Sequence, residues 1–153
     1  MNIRPSTSND IEAIIELFHD SVHQIAVRSY SPEQLSVWAP EQPDIEVWRS
    51  LLHGLETLVA EVDGVMAGFI SFSAGGHIDL LYTSPRFSRR GVASALYEAA
   101  VRRLLSIGVQ ELSTEASLEA RPFFQAKGFG IVEEQLVERQ GVRLKRFAMR
   151  RVL

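Results

Sequence analysis

Apolar residues recur along this chain with two periods, and the switch between them separates a helical first third from a strand-rich remainder. Ile3 opens a short strand that Pro5 stops. Beyond it, Ile11, Ile14, Ile15, Phe18, Val22 and Ile25 fall at helical spacing and form one stripe facing a core. Thr7 to Asn9 offer N-caps, and Asp10 and Glu12 suit the positive end of the helix dipole. Ser31-Pro32-Glu33-Gln34 predicts a second helix: Ser31 caps, Pro32 fits the first helical position and Gln34 completes a capping box. Pro40 ends it early. A third helix is expected from about Asp44 to His53, with Ile45, Trp48, Leu51 and Leu52 on one face and Gly54 as its stop.

From Thr57 the pattern becomes strand-like. Thr57 to Val62, the Asp63-Gly64 turn, Val65 to Ser73, the Gly75-Gly76 turn and His77 to Thr83 read as an antiparallel meander. A polar loop, Ser84 to Arg90, leads into a long helix from about Gly91 to Ser106. Its expected stripe is Val92, Leu96, Ala99 or Ala100, the stem of Arg103, Leu104 and Ile107. Glu111 to Glu115 is a strand, Arg121 to Ala126 a short helix, and Ile131 to Glu138 a strand. Gln140-Gly141 then turns the chain into a last strand ending at Val152. The order predicts one α/β (α+β) domain over residues 1–153, a mixed, mostly antiparallel sheet flanked by helices. Because a helix joins His77–Thr83 to Glu111–Glu115, those two strands should be parallel neighbours. Ligands of open sheets collect at such irregular points, near the carboxyl ends of strands.

Composition narrows the function. A chain of 153 residues with 46% hydrophobic and 23% charged residues is ordinary globular protein. The absence of cysteine removes disulfide frameworks, thiolate metal sites and cysteine nucleophiles, and fits a reducing, cytoplasmic location. Met1-Asn2-Ile3-Arg4-Pro5 is not followed by the apolar run of a signal peptide, and no stretch is apolar enough to span a membrane. A formal charge of −3 and no long basic run argue against nucleic acid as a partner. His19 and His23 lie four apart on one helix face, a metal-compatible spacing, but the sequence suggests no third ligand, so no metal site is expected.

The chemistry concentrates in Leu80 to Ala93, where an apolar strand runs into a basic, glycine-containing loop that opens a helix. A helix start presents unpaired N–H groups and a positive dipole end, Arg89 and Arg90 add charge, and Gly91 and Ala93 keep the approach open. Such a loop can cradle a pyrophosphate; solvated surface arginines explain it equally on residue types alone. Asp79 is a carboxylate in an otherwise apolar strand. Partial burial there would raise its pKa and suit a general base, while capping or pairing with an arginine would serve structure instead. His77 falls on the same side by alternation, and a turn-flanking role suits it best.

Ser88-Arg89-Arg90-Gly91-Val92-Ala93 resembles the Gln/Arg-x-x-Gly-x-Gly/Ala loop with which GNAT acyltransferases bind the pyrophosphate of acetyl-CoA; Ser88 departs from the usual Gln or Arg. Ile3-Arg4-Pro5 with Asp10 resembles the family's opening. Ser117-Leu118-Glu119-Ala120-Arg121-Pro122-Phe123-Phe124, with Gly128-Phe129, resembles its Asn-x-x-Ala-x-x-Phe-Tyr…Gly-Phe segment. Tyr30 to Gln34 with Trp38-Ala39-Pro40 is similar to a bacterial subgroup of YafP-like acetyltransferases. The resemblance implies an N-acetyltransferase moving acetyl from acetyl-CoA to a primary amine, with a splayed parallel strand pair. It implies donor contacts from Leu81, Tyr82 and Thr83 on the strand, from Ser88, Arg89, Arg90, Gly91, Val92, Ala93 and Ser94 in the loop and helix start, and from Ser117 and Phe124. Asp79 is then the expected base, and Tyr30 and Trp38 are expected to shape the acceptor cleft. Phe124 stands where the family has a tyrosine that protonates the leaving thiolate, so Tyr30, Tyr82 or solvent must replace it if catalysis is retained. A CoA-binding sensor or partner-binding domain with weak or no catalysis, and a site for another phosphate ligand such as a nucleotide, stay open. The acceptor is not legible, and a homodimer is a common state in the family.

Overall fold

A computed structural model describes residues 1–153. Seven strands form one sheet in the order β1-β2-β3-β4-β5-β7-β6. They are β1 (Asn2–Pro5), β2 (Glu56–Val62), β3 (Val65–Phe72), β4 (His77–Thr83), β5 (Glu111–Ser117), β6 (Gly130–Arg139) and β7 (Val142–Val152). Every neighbouring pair is antiparallel except β4 and β5. The helices are α1 (Ile11–Gln24), α2 (Pro32–Trp38), α3 (Ile45–His53), α4 (Val92–Ser106) and α5 (Arg121–Ala126).

Strand alternation sends successive side chains to opposite faces and so builds two cores. Phe69 joins Ile14, Phe18 and Val22 of α1 and Leu35 of α2, while Ile70 next to it joins Leu96, Ala100 and Leu104 of α4. The predicted capping box of α2 forms: Gln34 N–H donates to Ser31 Oγ at 3.2 Å and Ser31 N–H donates to Gln34 Oε1 at 2.8 Å. The chain start is clamped by Arg4, which donates to both oxygens of Asp10 at 2.8 Å and also pairs with Glu61. That guanidinium holds the buried Asp10 carboxyl below its ordinary value.

Three packing expectations change. In α1 the buried stripe is broader than drawn and takes in Leu17. In α4, Tyr97 is buried while Ile107 is 46% exposed, because the helix ends at Ser106 and Ile107 falls beyond its last packed turn. In α3 the predicted apolar face exists but none of its residues is fully buried: Trp48 and Leu52 touch the core, whereas Ile45 and Leu51 are exposed. This helix overhangs a cavity instead of filling it.

Candidate active site

The site begins where β4 and β5 part. They pair only at His77↔Ser113 and Ile78↔Thr114. Thr114 Oγ1 donates to Ile78 O at 2.9 Å at the last joined position. Gly76 makes the join tight. It has φ +96°, its carbonyl accepts from Ser113 N–H at 3.0 Å, and a Cβ there would lie 2.4 Å from Glu111 O. Beyond Ile78 the strands splay, as the resemblance to GNAT acyltransferases implies.

On its other edge β4 stays paired with β3, with one irregularity. Ser71 faces Leu80 and Phe72 faces Ile78, so Asp79 is a bulge residue with no β3 partner. Ser84 N–H donates to Ala67 O at 2.8 Å. By alternation Tyr82 also points its backbone toward β3, and Leu81 and Thr83 present theirs to the open side. At the far end of β4 the loop delivers α4. Gly91 has φ +76° and Arg89 φ +59°, a sharp left-handed entry to the helix. The N–H groups of Arg89 through Ser94 donate to no protein acceptor. The Arg90 guanidinium lies 5.4 Å from the centre of the Phe87 ring. Val92 is 2% exposed, so its side chain belongs to the core and only its backbone faces the loop mouth.

Two cavities flank the splay. The larger, about 530 Å³, brings together Asp79, Leu81, Tyr82, Tyr30, Trp38, Ser117 and Phe124, which the sequence had scattered over almost a hundred positions. The smaller, about 150 Å³, joins Leu81, Tyr82, Thr83, Ser117 and Phe124 to Ala93 at the start of α4. Ser88, Arg89, Arg90, Gly91 and Ser94 line neither and sit outside at the helix N-terminus.

The electrostatics distinguish the side chains. Asp79 is open to the larger cavity, and partial desolvation by its walls lifts the carboxyl above its ordinary value; His77 draws it down and Glu115 pushes it up. His77 Nδ1 is hydrogen-bonded to Ser113 Oγ at 2.8 Å, and its Nε2 lies 3.5 Å from Glu115, which pairs with Arg146. Glu115 and Arg146 went unnoticed in the sequence, although alternation from Glu111 through Ser113 marks Glu115 as sharing their face. Tyr30 is buried, and its hydroxyl donates to Lys145 O at 2.6 Å and accepts from Leu118 N–H at 3.0 Å. That hydroxyl joins β7 to the segment after β5 and has no proton to spare. Tyr82 packs edge-on to Phe18, and burial pushes its phenol up to about 12. Phe124 is 3% exposed against Phe123 and Phe129. Ser117 Oγ accepts from Ala120 N–H at 3.1 Å and so caps the turn into α5.

The histidine pair of α1 acquires the neighbour that the sequence did not suggest: His19 Nε2 donates to Glu41 at 3.2 Å, while His23 Nε2 donates to Ala39 O at 2.6 Å.

A splayed parallel pair beside a helix start rich in free N–H groups defines a class, and comparison with known proteins agrees. A family profile described as acetyltransferase (GNAT) domain matches residues 26–151. The chain is 35% identical to the uncharacterised N-acetyltransferase YafP of Escherichia coli (strain K12), over 98% of this chain and 95% of that one. Among solved structures, a GCN5-related N-acetyltransferase from Rhodopseudomonas palustris superposes with a TM-score of 0.95 at 30% identity, covering 99% of this chain and 95% of its own. PaiA N-acetyltransferase from Thermoplasma acidophilum, solved with coenzyme A, superposes with a TM-score of 0.80 at 19% identity, covering 99% and 98%, a likeness of fold. The chain belongs to the GNAT acetyltransferase family and is an acyl-CoA-dependent N-acyltransferase in class.

Proposed function

We propose that this protein moves the acetyl group of acetyl-CoA to a primary amine bound in the larger cavity, with Asp79 as the base. The observation that carries the reading is the run of open backbone groups from Leu81 and Thr83 to the α4 N-terminus, with an unpaired carboxylate at the inner end. Free N–H groups and the helix dipole at Arg89–Ser94 suit the donor's pyrophosphate. The pantetheine arm pairs with Leu81 and Thr83 as a strand would, which directs the thioester toward Asp79.

The reaction is one substitution. The amine nitrogen attacks the thioester carbonyl carbon, the C–S bond breaks, CoA leaves as thiolate, and the nitrogen releases its second proton to solvent as the amide forms. An ammonium cannot attack, so a base must first take a proton; Asp79, held above its ordinary value, is suited to that. Backbone N–H groups of the splay stabilise the charge that develops on the carbonyl oxygen. No tyrosine serves the thiolate. Phe124 cannot donate, the Tyr30 hydroxyl is already bonded, and burial, which pushes the Tyr82 phenol up to about 12, makes it a poor proton donor. Solvent protonates it after departure.

Thermal unfolding with and without ligands tests the donor site. At 100 times its dissociation constant, a ligand of the native state adds about 2.7 kcal/mol. Acetyl-CoA and CoA are expected to raise Tm, and ATP is not. Failure of both coenzymes at millimolar concentration would remove the donor assignment.

A further inference from the structure

The sequence puts two imidazoles on one face of α1 and offers no third ligand; the fold supplies one. His19 and His23 have ring centres 4.3 Å apart and planes inclined by 31°. Phe18 and Val22 beside them are buried in the core, so the helix that carries both imidazoles is fixed. Residues 39–44 join α2 to α3 and cross this face without helix or strand of their own. Ala39 anchors the crossing: it is 1% exposed, and its carbonyl accepts from His23 Nε2 at 2.6 Å. Pro40 and Pro43 restrict the backbone on either side of Glu41 and Gln42. Glu41 stands 3.2 Å from His19 Nε2.

These separations suit a metal ion. Zinc bonds nitrogen and carboxylate oxygen at about 2.0–2.1 Å, and tetrahedral angles then hold two ligand atoms roughly 3.3 Å apart. His19 Nε2 and Glu41 already have that spacing. One ligand atom from each of His19, His23 and Glu41 lies within 4.8 Å of the other two. Closing the set takes movements of about 1.5 Å or less, the scale of a side-chain rotation. Outer partners of the kind that orient imidazole ligands are present: Ala39 O at His23, and the Asp20 carboxylate 3.8 Å from His19 Nδ1.

Two nitrogens and one carboxylate oxygen form a donor set for zinc and its neighbours in the first transition row, whereas magnesium and calcium prefer oxygen throughout. We infer that His19, His23 and Glu41 form a three-ligand site for a divalent cation of the zinc class, its remaining position taken by water. The ion replaces the proton between His19 Nε2 and Glu41, which leaves to solvent. Two half-buried ligands and one exposed one make the ion exchangeable. His19, Ala39, Pro40, Pro43 and Asp44 line the larger cavity, and Asp44 caps α3. The ion therefore pins to α1 the segment that leads into α3, and holds that loosely packed helix in place over the cavity. This inference stands apart from the acetyl-transfer reading.

The test titrates tag-free, EDTA-treated protein with Zn²⁺ by calorimetry and with Co²⁺ by visible absorption, with no acyl donor present. The wild type is expected to take one ion per chain with micromolar affinity, to gain the strong absorption of four-coordinate Co²⁺, and to show a higher Tm with Zn²⁺. His19→Ala and His23→Ala should each weaken binding by about 100-fold or more. Glu41→Gln, on an exposed side chain away from the helix, should weaken it by about tenfold or more and stands in where a helix variant fails to fold. His53→Ala and His77→Ala, at the other two histidines, keep it. No heat and no change in Tm at millimolar Zn²⁺ would overturn the inference and leave a hydrogen-bonded cluster. Binding that survives in both His19→Ala and Glu41→Gln would overturn it as well. So would binding that a folded His77→Ala abolishes, which would move the ion to the base of the splay.

Discussion

The role proposed for Asp79 rests on backbone placement more than on its side-chain type. A bulge removes it from the β3 ladder and turns it to the cavity without an ionic partner. Its carboxyl is raised, so the native state holds the proton more tightly than the unfolded chain. Its contribution to stability is therefore fully present below the unfolded value and is lost as pH rises through the raised one. As the proposed base, Asp79 makes activity run the opposite way, because only the ionised form accepts a proton. Asp79→Asn is expected to lower kcat by about 100-fold or more while keeping the thermal shift with acetyl-CoA, and to make the protein slightly more stable at pH 7. In the wild type the acid limb of kcat/KM should titrate above the ordinary carboxylate value. Unchanged turnover at saturating donor would remove Asp79 from the chemistry.

The junction between β4 and β5 shows what an element owes to one residue. Gly76 combines φ +96° with a backbone approach that any Cβ would invade. Gly76→Ala should cost about 2–4 kcal/mol from left-handed strain and overpacking together. A fall in Tm of roughly 5–15 °C would be seen by calorimetry; an unchanged Tm would mean that the joint tolerates a wider gap. The sequence announced this turn as Gly75-Gly76 but not the close contact behind it, since contact with Glu111 joins positions far apart in the chain. The same limit runs through the site. Element order, the Ser31 capping box, the β4 bounds and the parallel crossover were legible because each rests on local period or cap chemistry. The bulge at Asp79 and the commitment of the Tyr30 hydroxyl were not, because each depends on pairing or packing across the sheet. The apolar stripe of α3 was legible too, but period alone does not tell a face that fills a core from one that roofs a cavity.

At the scale of the molecule, the sheet is two halves, β1–β4 and β5-β7-β6, joined through hydrogen bonds only at the base of the splay. The donor, lying between them, would act as the missing ladder. Hydrogen exchange reads this directly. In the free protein the amides of Leu81 and Thr83 face the open side and should exchange with little protection, while that of Tyr82, between them, is paired with β3 and protected. Saturating CoA should slow Leu81 and Thr83 by about tenfold or more through new local bonds. A gain in global stability alone slows only amides that open by unfolding, by about 100-fold at 100 times the dissociation constant, and leaves locally open ones unchanged. Selective protection of Leu81 and Thr83 therefore separates donor in the splay from donor bound elsewhere. If CoA slows Tyr82 and the core strands but leaves these two amides fast, the donor stabilises the fold from another surface, and the route from the α4 N-terminus to Asp79 has to be redrawn.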